Sequence, residues 1–183
     1  VLKDHPEYAR EVLKTIECTF SAGDVYKKSK PDVLAAFLNN KEKIEEGYEF
    51  VTDSVVTEYV TEKKIFGNSD YPDLLNIAAT EYFIEITHKK YASAIKNSLG
   101  RNVTAVFTDE PKAPSSAYNK ELAEKYELTY GESILHYLPL IAGKTSPTEE
   151  NVHILHRWYD LCSRMFCDNF LLPCKKWAND HGM

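Results

Sequence analysis

The sequence predicts a helix-rich α/β fold, and three features of it carry that prediction. Asn102 to Pro111, Asn-Val-Thr-Ala-Val-Phe-Thr-Asp-Glu-Pro, has the β-branched and aromatic interior of a core strand and ends in two carboxylates. Long stretches after Asn76 repeat apolar residues at helical spacing. Two polar, β-rich stretches nearer the N-terminus read as an antiparallel pair. At 183 residues the chain can bury one substantial core and is read as a single domain, 1–183.

Taken in order, Asp4 to Arg10 allows a helical turn or two, with Pro6 at a position where a helix start tolerates proline. From Lys14 to Phe20, Ile16, Cys18 and Phe20 alternate with Thr15, Glu17 and Thr19, a half-buried strand that ends near Ser21-Ala22-Gly23. Ser29-Lys30-Pro31-Asp32 reads as a helix opening, after which Val33, Leu34, Phe37, Leu38 and Ile44 form one face as far as Gly47. Tyr48 to about Lys64 has high β propensity, but its alternation slips midway. That predicts a long strand with a bulge, paired with the first and set apart from the core. A turn over Gly67 to Pro72 follows.

The clearest helix runs from Asn76 or Ile77 to Leu99, with Asn76 as its cap, Gly100 as its stop, and a stripe of Ile77, Phe83, Ile84, Thr87, Tyr91, Ala94 and Ile95. After the central strand, Lys112 to Ala117 is loop. Helices then follow over Asn119 to Leu128 and Glu132 to Ile141, separated by Tyr130-Gly131. Ser146-Pro147-Thr148-Glu149 is a capping signature for a last helix running to Asn179, which Pro173 should kink or split near Phe170. The residues from Trp177 to Met183 read as a helix end, where an α/β protein would begin its next strand. One core strand for five helices marks the chain as a piece of a larger domain.

Composition excludes some functions. Lys and Arg total 22 against 28 Asp and Glu, a net charge of -6, and the basic residues form no stripe of the kind that phosphate binding requires, so nucleic acid is not expected as a partner. Apolar runs stay short of the roughly 20 residues that span a bilayer, and no leader pattern opens the chain. A soluble, cytoplasmic protein is expected, with no membrane partner. Cys18, Cys162, Cys167 and Cys174 make neither a zinc spacing nor a secreted disulfide framework, and read as small buried hydrophobes.

Two constellations could do chemistry. Asp109 and Glu110 are adjacent, so on a strand they leave opposite faces and cannot share a proton. By parity Val103, Ala105 and Phe107 pack inward, and Glu110 emerges on the other face at the carboxyl end, suited to general acid/base work if an apolar pocket raised its pKa. Glu85-Ile86-Thr87-His88 and Glu150-Asn151-Val152-His153 each put a carboxylate and an imidazole on one helix face, as di-metal carboxylate bundles do. Glu150 is also where a first-turn acid belongs for dipole reasons alone, and neither a metal nor a cofactor is expected.

The run Leu74-Leu75-Asn76-Ile77-Ala78-Ala79-Thr80-Glu81-Tyr82-Phe83-Ile84, then Tyr91, then Val103 to Pro111, resembles bacterial glycoside hydrolases with a (β/α)8 barrel. Tyr126 to Gly131, Leu135 to Leu140 and the stretch from Trp158 to Gly182 are similar to the same proteins in order and spacing. The resemblance covers about Gly47 to Met183. It implies a helix-rich partial (β/α)8 barrel in which residues 10–66 are an insertion carrying a two-stranded antiparallel pair. It also implies that Glu110 is the acid/base carboxylate and Asp109 its hydrogen-bonded neighbour. The chain departs from the pattern where Lys112 and Ala113 stand in place of an aromatic. A glycosidase also needs a second carboxylate roughly 5 to 10 Å from the first, and no comparable strand-end acid occurs here. The expectation is therefore a piece of a hydrolase catalytic domain, inactive alone, with a carbohydrate substrate and exposed barrel edges prone to self-association. The rival expectation is a non-catalytic helical module that binds a partner through its 147–180 helix.

Overall fold

The computed structural model describes residues 1–63, 71–109, 111 and 118–183. The chain divides into two compact units: Val1–Arg10, Lys64–Ser115 and Asp160–Met183 form one, and Glu11–Lys63 with Ser116–Tyr159 form the other.

The second of these holds a four-stranded antiparallel sheet of β1 (Glu11–Phe20), β2 (Ala35–Leu38), β3 (Glu42–Ile44) and β4 (Ser54–Lys63), in the order β1-β4-β2-β3. β1 and β4 pair without interruption from Glu11↔Lys63 to Phe20↔Ser54, so the expected bulge does not form. Nor is the pair an excursion from a core. β4 lies between β1 and β2 with Val56 to Val60 all buried, which requires cover on both faces of the sheet. On one face Val56 and Ala36 pack with Tyr26, Ile44 and Phe50. On the other, the Phe37 and Tyr59 rings meet edge to face at 5.5 Å.

The helix expected after Ser29 is instead the β2-β3 hairpin. Asn39 and Asn40 take positive φ values of 51° and 56°, and Lys41 N–H donates to Leu38 O at 3.0 Å. Two successive residues at positive φ make the tight turn whose twist matches the flanking strands, and asparagine tolerates that conformation better than most residues. The same unit carries α3 (Lys120–Tyr130), capped by Asn119 and ended by Gly131 in the left-handed conformation. A 3-10 turn over Ile134–Tyr137 then leads into the single turn α4 (Leu138–Ile141). Residues 152–159 of α5 (Val152–Phe166) place Trp158 beside Tyr118 and Tyr126 in the interior.

In the other unit, α1 (Ile77–Phe83) begins where the sequence predicts, with Asn76 Oδ1 accepting from the Ala78 and Ala79 amides. It then widens into a π-helical segment, Ile84–His88, before α2 (Lys89–Ile95). The C-terminal helix does the same. α5 passes into a π segment, Cys167–Leu171, and then α6 (Leu172–Asp180), with Pro173 in the first turn of α6. Lys89 N–H reaches Ile84 O and Leu172 N–H reaches Cys167 O, each an i to i−5 bond. One extra residue turns everything after it by about 100° around the axis. That is why Tyr91, expected on the buried stripe, is 70% exposed.

No barrel is present among the described residues. Every described strand falls between Glu11 and Lys63 and every pairing of one strand with another is antiparallel, whereas a (β/α)8 barrel alternates parallel strands with helices. The expected core strand is also absent. Val103 forms a lone bridge with Leu99, residues 104–109 have no regular structure, and Phe107, expected to point inward, is 88% exposed.

Candidate functional site

A hollow of about 810 Å³ opens within the unit that contains α1 and α6. One wall is the first helix, with Thr80, Phe83 and His88, and another is the C-terminal helix, with Phe170, Cys174 and Lys175. Ala105 to Thr108 form a third. α1 packs against the second π segment and α6, and Asn169, inside that segment, donates from Nδ2 to Leu75 O at 2.5 Å. Both π segments therefore sit at the hollow, with Thr87 and His88 from the first and Phe170 and Leu171 from the second on its lining. Such widened turns are a recurrent feature of functional sites.

His88 is held in one tautomer. The Thr87 hydroxyl has one proton, which it donates to the Phe83 carbonyl. Its 2.9 Å contact with His88 Nδ1 is then a bond donated by the imidazole, so Nε2 keeps the lone pair. The ring stands edge-on to Trp177 at 4.7 Å and to Phe83 at 5.2 Å. Burial holds its pKa below the usual imidazole value, so the ring is neutral at pH 7. Burial raises the Cys174 thiol, and raises Cys162 to about 12 with the Asp73 carboxylate adding to the effect. Neither is a thiolate nucleophile. Thr80 lies two helical turns before His88, is 2% exposed, and its Oγ1 has no hydrogen-bond partner.

Among the described residues, none that lines the hollow is an acid. Asp109 follows the last wall residue, Thr108, and is exposed. Glu110, the predicted acid/base, lies outside the described residues. The Glu-x-x-His pairs do not assemble into a metal centre: Glu85 is paired with Lys89, and Glu150 and His153 are exposed. Among the described residues no three His, Cys, Asp or Glu side chains group closely enough to share an ion.

The sequence reading missed Glu58, which is fully buried on β4. Its Oε1 accepts from the Tyr26 hydroxyl and the Ser29 amide, each at 2.8 Å, and its Oε2 accepts from the Ser29 hydroxyl. With three donors converging on it, this carboxylate ties the loop before β2 to the sheet. Hydrogen bonding also raises the Tyr26 phenol above its usual pKa, after the larger effect of burial. Reading Glu58 as buried needed only its place between Val56 and Val60, but an acid at that position suggested solvent.

Comparison with known protein families, with curated proteins and with solved structures finds no match for this chain.

Proposed function

We propose that this chain is part of the catalytic domain of a carbohydrate-active hydrolase related to the bacterial glycoside hydrolases. In it Glu110 is the general acid/base, Asp109 is its neighbour, and the second carboxylate comes from outside the chain. The observation that carries this is the hollow. The stretches that bear the resemblance, Leu74 to Ile84, Val103 to Pro111 and the C-terminal helix, all contribute to its lining, and one of them runs on directly into Asp109 and Glu110. The barrel is no part of the proposal. A general acid can protonate the leaving group of a glycoside that an adjoining hollow holds. The substrate is a carbohydrate, and neither nucleic acid nor membrane is a partner. Self-association would use the sheet edges β1 and β3.

A cytoplasmic location belongs to the same proposal. All four cysteines are free, and no helix among the described residues is long and apolar enough to cross a membrane.

The test is a leaving-group series. This chain alone is expected to leave aryl glycosides intact. In the longer chain that restores the second carboxylate, Glu110→Gln should slow glycosides with poor leaving groups by roughly 10²- to 10⁴-fold. Dinitrophenyl glycosides, whose leaving group departs without protonation, should be slowed far less. Undiminished hydrolysis of the poor-leaving-group substrates by Glu110→Gln would end the proposal.

The absence of an acid among the described lining residues favours one second reading, a non-catalytic module that binds a partner through the C-terminal helix, which the structure starts at Val152 rather than at the expected residue 147. On that reading Glu110 is dispensable and deletion of the helix abolishes association.

A further inference from the structure

The hollow has a polarity pattern of its own, independent of Glu110. Its lining is largely apolar, with Phe83, Ile86 and Phe170 among the side chains that form it. At about 810 Å³ it falls within the range of roughly 300 to 1,000 Å³ typical of small-molecule sites. Two polar groups on it lack partners. Thr80 is nine-tenths buried and more, and its hydroxyl is left without the hydrogen bond that a buried donor ordinarily makes. Lys175 lines the same hollow and forms no ion pair among the described residues, and none of the described residues on the lining is acidic. A ligand that satisfied both would carry a negative charge and a hydrogen-bond acceptor on an apolar body. The two π segments at the hollow fit such a role, since each departs from the regular helix where the lining is formed.

We propose that the hollow between α1, α6 and the Ala105 to Thr108 wall is a binding site for an amphiphilic monocarboxylic acid. The aliphatic or aryl body occupies the apolar lining, and the carboxylate accepts from the Thr80 hydroxyl and pairs with the Lys175 ammonium. His88, neutral and donating from Nδ1 to Thr87, adds no competing charge to the cavity. The site does not depend on the hydrolase proposal, because neither Asp109 nor Glu110 takes part.

Calorimetric titration of the full chain with decanoate tests the site, with decanol as the uncharged control of the same length. One decanoate per chain is expected, bound about tenfold more tightly than decanol, which corresponds to about 1.4 kcal/mol. Thr80→Val, which keeps the shape of the buried side chain, and Lys175→Gln, on the exposed side of α6, should each weaken decanoate about tenfold. Lys175→Gln should leave decanol binding unchanged, and its melting temperature should match that of the parent chain. Decanol binding as tightly as decanoate would overturn the proposal. So would decanoate binding that ignores Lys175→Gln, or a hollow closed to both probes because two copies of the chain cover it, seen as a dimer in sedimentation.

Discussion

β4 and the stretch from Val103 to Asp109 are both rich in β-branched and aromatic residues, yet they have opposite fates. β4, Ser-Val-Val-Thr-Glu-Tyr-Val-Thr-Glu-Lys, carries two glutamates and a lysine, and is buried through its centre. Val-Thr-Ala-Val-Phe-Thr-Asp is more apolar by composition, yet its residues from Thr104 to Asp109 are all exposed. β propensity describes how well a side chain fits a pleated, half-covered surface, and it means little until a neighbouring strand supplies that surface. β4 has β1 along its whole length and β2 along half of it. Among the described residues the later stretch has one bridge, at Val103.

The largest loss should come from removing a buried side chain of β4. Tyr59 is fully buried, meets Phe37 edge to face and donates to Asn40 Oδ1 at 2.7 Å. Tyr59→Ala should cost about 3 to 5 kcal/mol, as deletion of a buried aromatic does, read as a fall in the urea midpoint. A loss below about 1 kcal/mol would mean that β4 is not a core strand.

Glu58 is the most polar residue in the most buried part of the sheet. Glu58→Ala leaves the buried Tyr26 hydroxyl without its acceptor and removes both bonds to Ser29, and should cost about 3 kcal/mol, since an unsatisfied buried group costs roughly 1 to 3. Ser29→Ala removes one donor from an exposed residue and should cost about 1 kcal/mol. Equal effects from the two substitutions would show that the carboxylate is not the hub of the three bonds.

Much of the helical part of this molecule is legible in its sequence, and the reasons are local. Asn76 caps α1, Asn119 caps α3, Gly131 ends α3, and Pro173 marks the interruption of the last helix, because each acts on backbone groups within a turn of itself. The sheet is less legible. The Asn39-Asn40 pair signals a hairpin, but the flanking apolar residues also fit a helical face, and that periodicity hid the turn. The π segments escape any count at 3.6 residues per turn, so neither the exposed Tyr91 nor the wall made by Thr87 and His88 could be placed. Of the candidate site, His88 stands out in the sequence only for its spacing from Glu85, and Thr80 only as one residue of the run from Leu74 to Ile84. An orphaned hydroxyl is a property of the packing around it.

In the unit without the sheet, backbone approach replaces strand pairing. Gly100 has a φ of 70°, and a Cβ there would lie 3.0 Å from His181 O and 3.1 Å from Gly182 O. Gly131 has a φ of 73° with open space around it. Alanine at Gly131 should cost about 1 kcal/mol, the left-handed penalty alone. Alanine at Gly100 should cost about 2 kcal/mol, because the C-terminal turn must also move. Matching losses in thermal melts would mean that the close approach carries no energy.

His88 gives that unit a pH signature. Its folded pKa lies below the unfolded value of about 6.5 because burial disfavours the charged ring. The unfolded chain therefore takes up the proton first as the pH falls. The stabilising contribution is complete above about 6.5 and is lost as the pH drops toward the folded pKa. The melting temperature should decline between pH 7 and pH 5.5, and His88→Asn should remove part of that decline. A pH profile identical in the variant would show that the imidazole is not held neutral by its surroundings.

The smallest effect belongs to the stretch that looked most important. Phe107 is 88% exposed, so truncating it deletes little buried area, and Phe107→Ala should change stability by less than about 0.5 kcal/mol. Amide exchange makes the same point without a mutation. None of the described backbone hydrogen bonds uses the N–H of a residue from Thr104 to Asp109, so these amides should exchange as fast as those of an open chain, while those of Val56 to Val60 exchange only when the sheet opens. Slow exchange across 104–109, or a loss of several kcal/mol from Phe107→Ala, would mean that this ribbon finds a partner in solution. Its composition would then have predicted its burial after all.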